Sequence, residues 1–168
     1  DVAYAVQEAS NGDLLVAGNA RTFGTADGSD IFLLRYDASG NFLWQQQFGL
    51  STVDESCTEM LALPNGNIML VGRVKNGATY DGQILITDGM GDLLSAKVYG
   101  IDGDESFTDA VLSIDNKVLL CSRSGLGVYR NVWLLKTDFN GDTLWTKRYP
   151  TTMPNVDVAT LTQSNNGT

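Results

Sequence analysis

The chain has 168 residues, of which 43% are hydrophobic and 18% are charged, so it can bury a core and is not a disordered segment. Its formal net charge of -9 repels a phosphate backbone and argues against a general nucleic-acid-binding protein. The chain contains no histidine, which excludes Ser-His and Cys-His catalysis and the usual imidazole metal sites. No apolar run approaches the ~18 residues that a membrane-spanning helix needs.

The first 50 residues contain four candidate strands in succession. The segment 4–9 is followed by Asn11-Gly12, a dipeptide that favours a tight hairpin because both residues tolerate a positive φ angle. The segments 14–18 and 31–36 are continuous apolar runs, which are typical of strands buried on both faces. The segment 42–48 partly alternates between apolar and polar side chains, which indicates an outer strand with one face toward water.

The same four-strand pattern returns twice more along the chain. Asp37, Asp88 and Asp138 are 51 and 50 residues apart, and each begins the pattern Asp-x-x-Gly. In such a turn the aspartate side chain can cap the backbone, and the glycine can adopt the left-handed conformation. Two other anchors repeat at a similar period, the Asn-Gly turn and the tripeptide Asp-Glu-Ser at 54–56 and 104–106.

We therefore predict an all-β protein, a β-propeller built from four-stranded antiparallel blades of about 50 residues. The predicted blades span residues 1–50, 51–101 and 102–151, and residues 152–168 would supply the innermost strand of an incomplete fourth blade. Small residues in the first strand of a blade place it innermost, and bulky ones place the fourth strand outermost. Because three blades and one strand do not close a ring, we expect this segment to be part of a larger propeller.

The run at positions 133–147 reads Trp-Leu-Leu-Lys-Thr-Asp-Phe-Asn-Gly-Asp-Thr-Leu-Trp-Thr-Lys, and residues 28–49 follow a similar pattern. These segments resemble the blade repeat of large secreted bacterial proteins that often end in a type IX secretion sorting domain. The second unit departs from the pattern, because Ser95 stands where the other units have Trp44 and Trp145. The resemblance implies a β-propeller in an extracellular or cell-surface setting.

The string Asp-x-x-Gly-x-x-x-Trp also resembles the tryptophan-docking motif of quinoprotein propellers. That resemblance implies a rival function, a quinone-dependent dehydrogenase, although the motif fastens neighbouring blades and does not bind the cofactor. The two cysteines, Cys57 and Cys121, are not adjacent and lack metal-ligand spacing. We interpret them as buried, inert thiols, and the alternative is a disulfide or a reactive pair. We predict no resident cofactor.

In the predicted strand order, the loops between second and third strands emerge on the same face as the loops between successive blades. We call this face the rim. The loops between blades are acidic, and Arg73 and Arg123 follow the second strand at equivalent positions. One hypothesis is that these arginines pair with carboxylates and lock successive blades together. The other is that Arg73, Arg123, Tyr80 and Tyr129 form a binding site for a polar ligand.

An acidic segment at 102–105 is the candidate metal site. Clustered carboxylate and carbonyl oxygens favour calcium, which makes Asp102, Asp104 and Glu105 its possible ligands. The segment lacks the ligand spacing of an EF-hand loop, and this favours the alternative of an ordinary acidic turn. We predict no catalytic residue in the chain.

Two functions remain, because propellers host both recognition and catalysis. The first is a non-catalytic recognition or scaffold segment of a larger secreted or cell-surface protein. It would bind a protein or a glycan, or neighbouring domains and subunits, through one rim. The alternative is the propeller part of a secreted enzyme, a hydrolase or a quinone-dependent dehydrogenase, whose catalytic residues lie outside this segment. We expect the first function, with no nucleic-acid partner and no transmembrane segment.

Overall fold

A computed structural model describes residues 1–21, 28–49, 53–100, 103–125, 129–154 and 160–162. These residues form twelve antiparallel strands in three four-stranded sheets, and the strands of each sheet lie side by side in chain order. The first sheet comprises β1 (Val2–Glu8), β2 (Leu14–Arg21), β3 (Ser29–Tyr36) and β4 (Phe42–Phe48). The second comprises β5 (Glu55–Ala62), β6 (Ile68–Asn76), β7 (Thr79–Thr87) and β8 (Leu93–Tyr99). The third comprises β9 (Ser106–Leu112), β10 (Val118–Ser124), β11 (Tyr129–Thr137) and β12 (Thr143–Pro154).

This topology confirms the predicted all-β class and the repeated four-stranded antiparallel unit. In the described ranges no helix is long and apolar enough to cross a membrane. The last strand, β12, continues to Pro154, so the backbone of residues 152–154 belongs to the third sheet rather than to a fourth unit. The further strand predicted around Asp157 lies outside the described residues.

The Asp-x-x-Gly turns have the predicted geometry in all three sheets. Asp37 Oδ1 accepts hydrogen bonds from the backbone N–H groups of Ser39 and Asn41 at 2.8 and 2.9 Å. Asp88 and Asp138 accept the same pair of bonds in their own turns. The glycine three positions after each aspartate has a φ angle of 83°, 88° or 77°, the left-handed conformation that glycine adopts without a steric penalty.

Consecutive sheets pack face to face, and the first strand of each sheet lies against the sheet before it. β5 contacts β1, β2 and β3, and β9 contacts β5, β6 and β7. We call the interface between the first and second sheets the first junction, and that between the second and third sheets the second junction. Each junction has its own apolar core, and the two cores together hold most of the fully buried large side chains.

Among the side chains that the structure describes, only those of the middle sheet show the continuous burial predicted for the second and third strands of every unit. The first five residues of β6 and the last seven of β7 are buried, whereas burial in β2 largely alternates. The first strands of the first and second sheets differ in burial in the same way. The comparison is between equivalent positions, three residues before the hairpin turn. Val6 of β1 is 72% exposed, and Met60 of β5 is 1% exposed. The burial differs because the middle sheet has a neighbouring sheet packed on each of its two faces.

The turn between β7 and β8 packs against β4 of the first sheet. A Cβ atom placed on Gly91 would lie 2.7 Å from Gln46 Cγ and 2.9 Å from Trp44 Cζ3, so the turn approaches β4 as closely as a backbone can. Arg35 of β3 adds a hydrogen bond from Nη1 to the carbonyl oxygen of Gly89. The Asp-x-x-Gly turn therefore closes a hairpin and also joins two sheets.

The two cysteines are buried free thiols. Burial raises the pKa of the Cys57 thiol to about 12, and burial also raises the pKa of Cys121. A thiol is nucleophilic as the thiolate, so the raised pKa of each residue disfavours its reactive form.

We expect Gly91→Ala to destabilise the protein more than Gly40→Ala does. Both glycines have a positive φ angle, so alanine introduces a similar backbone penalty of about 1–2 kcal/mol at either position. A Cβ on Gly40 meets nothing within 4 Å, whereas a Cβ on Gly91 overlaps Gln46 and Trp44 and should add roughly 1–3 kcal/mol. Urea unfolding of the two variants measures the difference. Equal losses would show that the turn does not pack against β4.

Candidate functional site

Two aspartates join neighbouring sheets at the rim. Asp54, which precedes β5, accepts a hydrogen bond through Oδ1 from the backbone N–H of Ser29 in β3, at 3.1 Å. Asp104, which precedes β9, accepts the same kind of bond from the backbone N–H of Tyr80 in β7, also at 3.1 Å. The repeated Asp-Glu-Ser tripeptide is therefore a repeated link between the third strand of one sheet and the first strand of the next.

Arg73, Tyr80 and Asp54 meet at the same edge. The Arg73 guanidinium carbon lies 4.2 Å from the centre of the Tyr80 ring, within the range of a cation–π interaction. The Tyr80 hydroxyl donates a hydrogen bond to Asp54 Oδ2 at 3.4 Å, and Lys75 Nζ lies 3.8 Å from the same oxygen. Arg73 and Tyr80 are half-buried and Lys75 is exposed. These contacts orient one aromatic ring and two cations at the surface of the second sheet.

A polar cleft of about 400 Å³ lies beside this cluster, between the second sheet and the start of the third. Its polar side chains are those of Asn76, Thr79, Asp81 and Glu105. Asn76 Nδ2 donates a hydrogen bond to Asp81 Oδ2 at 2.7 Å, and both carboxylates are buried. The cleft combines two carboxylates with an amide and a hydroxyl, so it suits ligand groups that donate hydrogen bonds.

Gly100 lines the cleft and makes room for Asp81. A Cβ atom on Gly100 would lie 2.3 Å from Asp81 Oδ1, and a Cβ on Gly49 would lie equally close to Asp30 Oδ1 in the first sheet. The sequence analysis missed Asp81 as a site residue. A usable signal was present, because an aspartate stands seven residues before both Asp37 and Asp88, and a glycine closes both of these units.

The structure places the remaining predicted rim residues on the third sheet. Arg123 is half-buried in β10, opposite Ser106, which is the position that Arg73 occupies opposite Ser56 in the second sheet. Tyr129 begins β11, but its side chain lies outside the described part of the chain. The structure thus brings Arg73 and Tyr80 together, and it places Arg123 one sheet further on.

The sequence predicted that arginine–carboxylate pairs lock successive blades together, and Arg73 forms a different contact. Within the described residues Arg73 lies against Tyr80 and forms no ion pair. The acidic residues beside it, Asp54 and Asp104, instead accept hydrogen bonds from backbone N–H groups of the preceding sheet. Backbone donors are held in place by the sheet, so these carboxylates join the sheets without the need for an arginine.

The calcium site proposed from the sequence stays a prediction. Asp102 lies outside the described residues. Asp104 uses one carboxylate oxygen in the link to Tyr80, and Glu105 is 1% exposed. In the described ranges no three histidine, cysteine or acidic side chains are grouped so that they could hold a metal ion.

Two acidic side chains on neighbouring first strands, Glu59 of β5 and Asp109 of β9, were also missed by the sequence analysis. Glu59 Oε1 accepts a hydrogen bond from the backbone N–H of Met60 at 2.8 Å. Asp109 accepts backbone hydrogen bonds from Ala110 and from Leu161. Burial raises the pKa of Glu59, and the negative charge of Asp109 raises it further. The sequence carries a signal, because each acid stands three residues after the repeated Asp-Glu-Ser tripeptide, but only the packing of β5 against β9 shows that the two acids lie together.

No protein-family model matches the chain, and no curated protein matches its sequence.

We expect Glu59→Gln to stabilise the protein at neutral pH. The pKa of Glu59 is higher in the folded protein than its usual 4.5, so ionisation of this carboxyl costs stability as the pH rises through the folded pKa. Glutamine keeps an oxygen for the N–H of Met60 and carries no charge, and solvent screening limits the gain to about 1 kcal/mol or less. Urea unfolding should show the gain at neutral pH and its disappearance below pH 4.5.

Asp37→Asn is the control of opposite sign for Glu59→Gln. Hydrogen bonds from Asn41 and the turn backbone lower the pKa of Asp37, so its ionised form favours the folded state at neutral pH. This variant should be less stable than the parent at neutral pH, and the difference should vanish at low pH. The same pH dependence for both variants would contradict the assignment of Glu59.

Proposed function

We propose that this chain is a segment of a β-propeller whose rim recognises a protein or a glycan without catalysis. Three four-stranded antiparallel sheets that pack in chain order, each with its first strand against the preceding sheet, support the propeller. The exposed face of β1 adds support. Val6 stands where the middle sheet has the buried Met60, so the first sheet presents a face of the kind that packs in the junctions.

The observation that carries the recognition proposal is the Arg73–Tyr80 stack beside the polar cleft. Tyrosine and arginine are the side chains that most often dominate the binding energy of recognition surfaces. Here the ring is oriented by Arg73 on its face and by Asp54 at its hydroxyl, so less conformational entropy is lost when a ligand binds. The adjacent cleft supplies polar groups that can fix the orientation of a ligand.

The absence of histidine and the hydrogen bonds of two carboxylates support a non-catalytic role. The chain has no histidine to act as a general base, and the carboxylates of Asp54 and Asp104 are engaged by backbone N–H groups. A secreted or cell-surface protein is the setting that we propose, on the resemblance of positions 133–147 to the blade repeats of secreted bacterial proteins. Neighbouring domains and subunits of the same assembly are then candidate partners of the rim.

The test is binding of the labelled protein to an array of defined glycans and to a set of purified extracellular proteins. We expect a ligand whose affinity falls at least about tenfold in both Tyr80→Ala and Arg73→Ala, because each removes one half of the stack. Tyr4→Ala is the matched control, since it removes an exposed tyrosine from β1, away from the rim cluster. Thermal unfolding of each variant checks that the fold is retained.

A ligand that binds both rim variants as tightly as the parent would place recognition elsewhere on the molecule. The absence of any ligand on both arrays would contradict the proposal. Hydrolysis of a glycoside by the protein, lost in Glu105→Gln, would contradict the non-catalytic role and would place a catalytic residue within this segment.

A further inference from the structure

The first junction contains a groove that is separate from the Arg73–Tyr80 stack. A groove of about 480 Å³ runs between β4 of the first sheet and β7 and β8 of the second. Its volume falls within the ~300–1,000 Å³ of typical small-ligand pockets. The turn that contains Gly91 closes one end of the groove, and Gly49 and Glu55 lie at the other end.

Gln83 of β7 lies in this groove and is only 8% exposed. Its Oε1 atom is fully buried and accepts no hydrogen bond from any described group. A buried amide oxygen without a donor is unfavourable, because it has lost its hydrogen bonds to water and gained none in return. Stability of the fold therefore does not explain a glutamine at this position.

In the second junction, the residue at the position equivalent to Gln83 packs in the interface between the sheets. Counting back five residues from Asp88 and Asp138 gives Gln83 and Trp133 as equivalent positions. Trp133 is buried, its ring centre lies 5.6 Å from that of Phe107, and its Nε1 donates a hydrogen bond to Thr146 Oγ1. The indole thus fills the second junction.

Contacts of other side chains also close the second junction. Lys97 of β8 pairs with Asp142, and the Tyr99 hydroxyl donates a hydrogen bond to the carbonyl oxygen of Gly141. The position equivalent to Lys97 is Gln46, and no hydrogen bond joins Gln46 to Asp92 in the described structure. The first junction is open because shorter, neutral side chains stand where the second has a lysine and a tryptophan.

The polar side chains in the groove limit the ligand to one without negative charge. Gln46, Gln47 and Gln83 provide amides, Glu55 and Asp92 provide carboxylates, and no lysine or arginine is among the lining residues that the structure describes. An anionic ligand such as a phosphate or sulfate ester would meet repulsion without a compensating cation. Amides both donate and accept hydrogen bonds, which matches hydroxyl groups, since these do the same.

The rest of the wall is apolar. Phe48 lies on one side of the groove, and Leu85, Leu93 and Ala96 lie on the other. A ligand that carries many hydroxyl groups and also has C–H faces satisfies both kinds of surface. A saccharide has this combination.

We propose that the groove binds a neutral saccharide and that Gln83 Oε1 accepts a hydrogen bond from one of its hydroxyl groups. The proposal concerns a different surface from the rim and does not depend on the function proposed for the rim. It also accounts for the buried amide oxygen, which gains its donor when the saccharide binds.

The experiment is a titration of the ¹⁵N-labelled protein with maltotriose, xylotriose, mannotriose and chitotriose, followed by backbone amide shifts. We expect at least one of them to shift the amides of Gln46 and Gln83 and those of the turn around Gly91. Gln83→Met should weaken that binding about tenfold, because it removes one buried hydrogen-bond acceptor and keeps the side-chain volume. Its thermal stability should equal or exceed that of the parent, an outcome that a purely structural glutamine would not produce.

A second variant fills the groove with the contacts of the second junction. Gln83→Trp combined with Ala96→Thr reproduces the Trp133–Thr146 pair and should abolish saccharide binding. Gln45→Met is the matched control, because Gln45 is an exposed glutamine of β4 that does not line the groove. It should bind like the parent. If the double variant does not fold, Gln83→Met alone decides the question.

Three results would overturn the proposal. The first is no amide shift in the groove with any of the four saccharides. The second is binding that survives Gln83→Met at full strength. The third is a set of shifts confined to Arg73, Tyr80 and their neighbours, which would support recognition at the rim and remove the groove as a saccharide site.

Discussion

A four-stranded sheet with apolar side chains on both faces is stable only when another layer covers each face, and this constraint organises the whole molecule. The middle sheet meets it within the chain, since the first sheet covers one of its faces and the third sheet covers the other. The central strands β6 and β7 are accordingly buried along most of their length. The turn that contains Gly91 and the links from Asp54 and Asp104 hold one sheet against the next.

The two junctions share the same kinds of contact between neighbouring sheets. An aspartate before the first strand of a sheet accepts a backbone N–H from the sheet before it, as Asp54 and Asp104 do. A turn with a left-handed glycine packs its backbone on the outer strand of the preceding sheet, as at Gly91 and Gly141. Because these contacts use backbone atoms and one carboxylate, they tolerate different side chains in the interior.

The repeats differ in the side chains that fill the interior of each junction. At some positions a change in size is compensated by a neighbouring residue, and at others it is not. Phe107 packs directly on Gly82, where a Cβ atom would lie 2.7 Å from its ring, whereas the first junction has Cys57 and Ile31 at these positions. One large and one small residue are exchanged for two of intermediate size, so the core stays filled. No such exchange compensates for Gln83 in place of Trp133, and the groove is the result. A repeat protein can thus acquire a binding site by leaving one equivalent position unfilled.

The sequence by itself determined the local features, because their causes lie within a few residues of one another. The aspartate that caps a turn and the glycine three positions later act on their own hairpin. The period of Asp37, Asp88 and Asp138, together with the four strand segments of each repeat, therefore predicted three sheets of four strands. The alternation of β4 likewise follows from its own side chains.

Only the tertiary structure decided which faces are covered and which side chains meet. The same kind of apolar run is buried in β6 and half-covered in β2, because burial depends on whether a second sheet packs there. Arg73 lies against Tyr80, and Asp54 and Asp104 accept hydrogen bonds from the backbone of the neighbouring sheet. The groove beside Gln83 exists only between two packed sheets. Contacts of this kind join residues that are distant in the chain, and no local pattern records them.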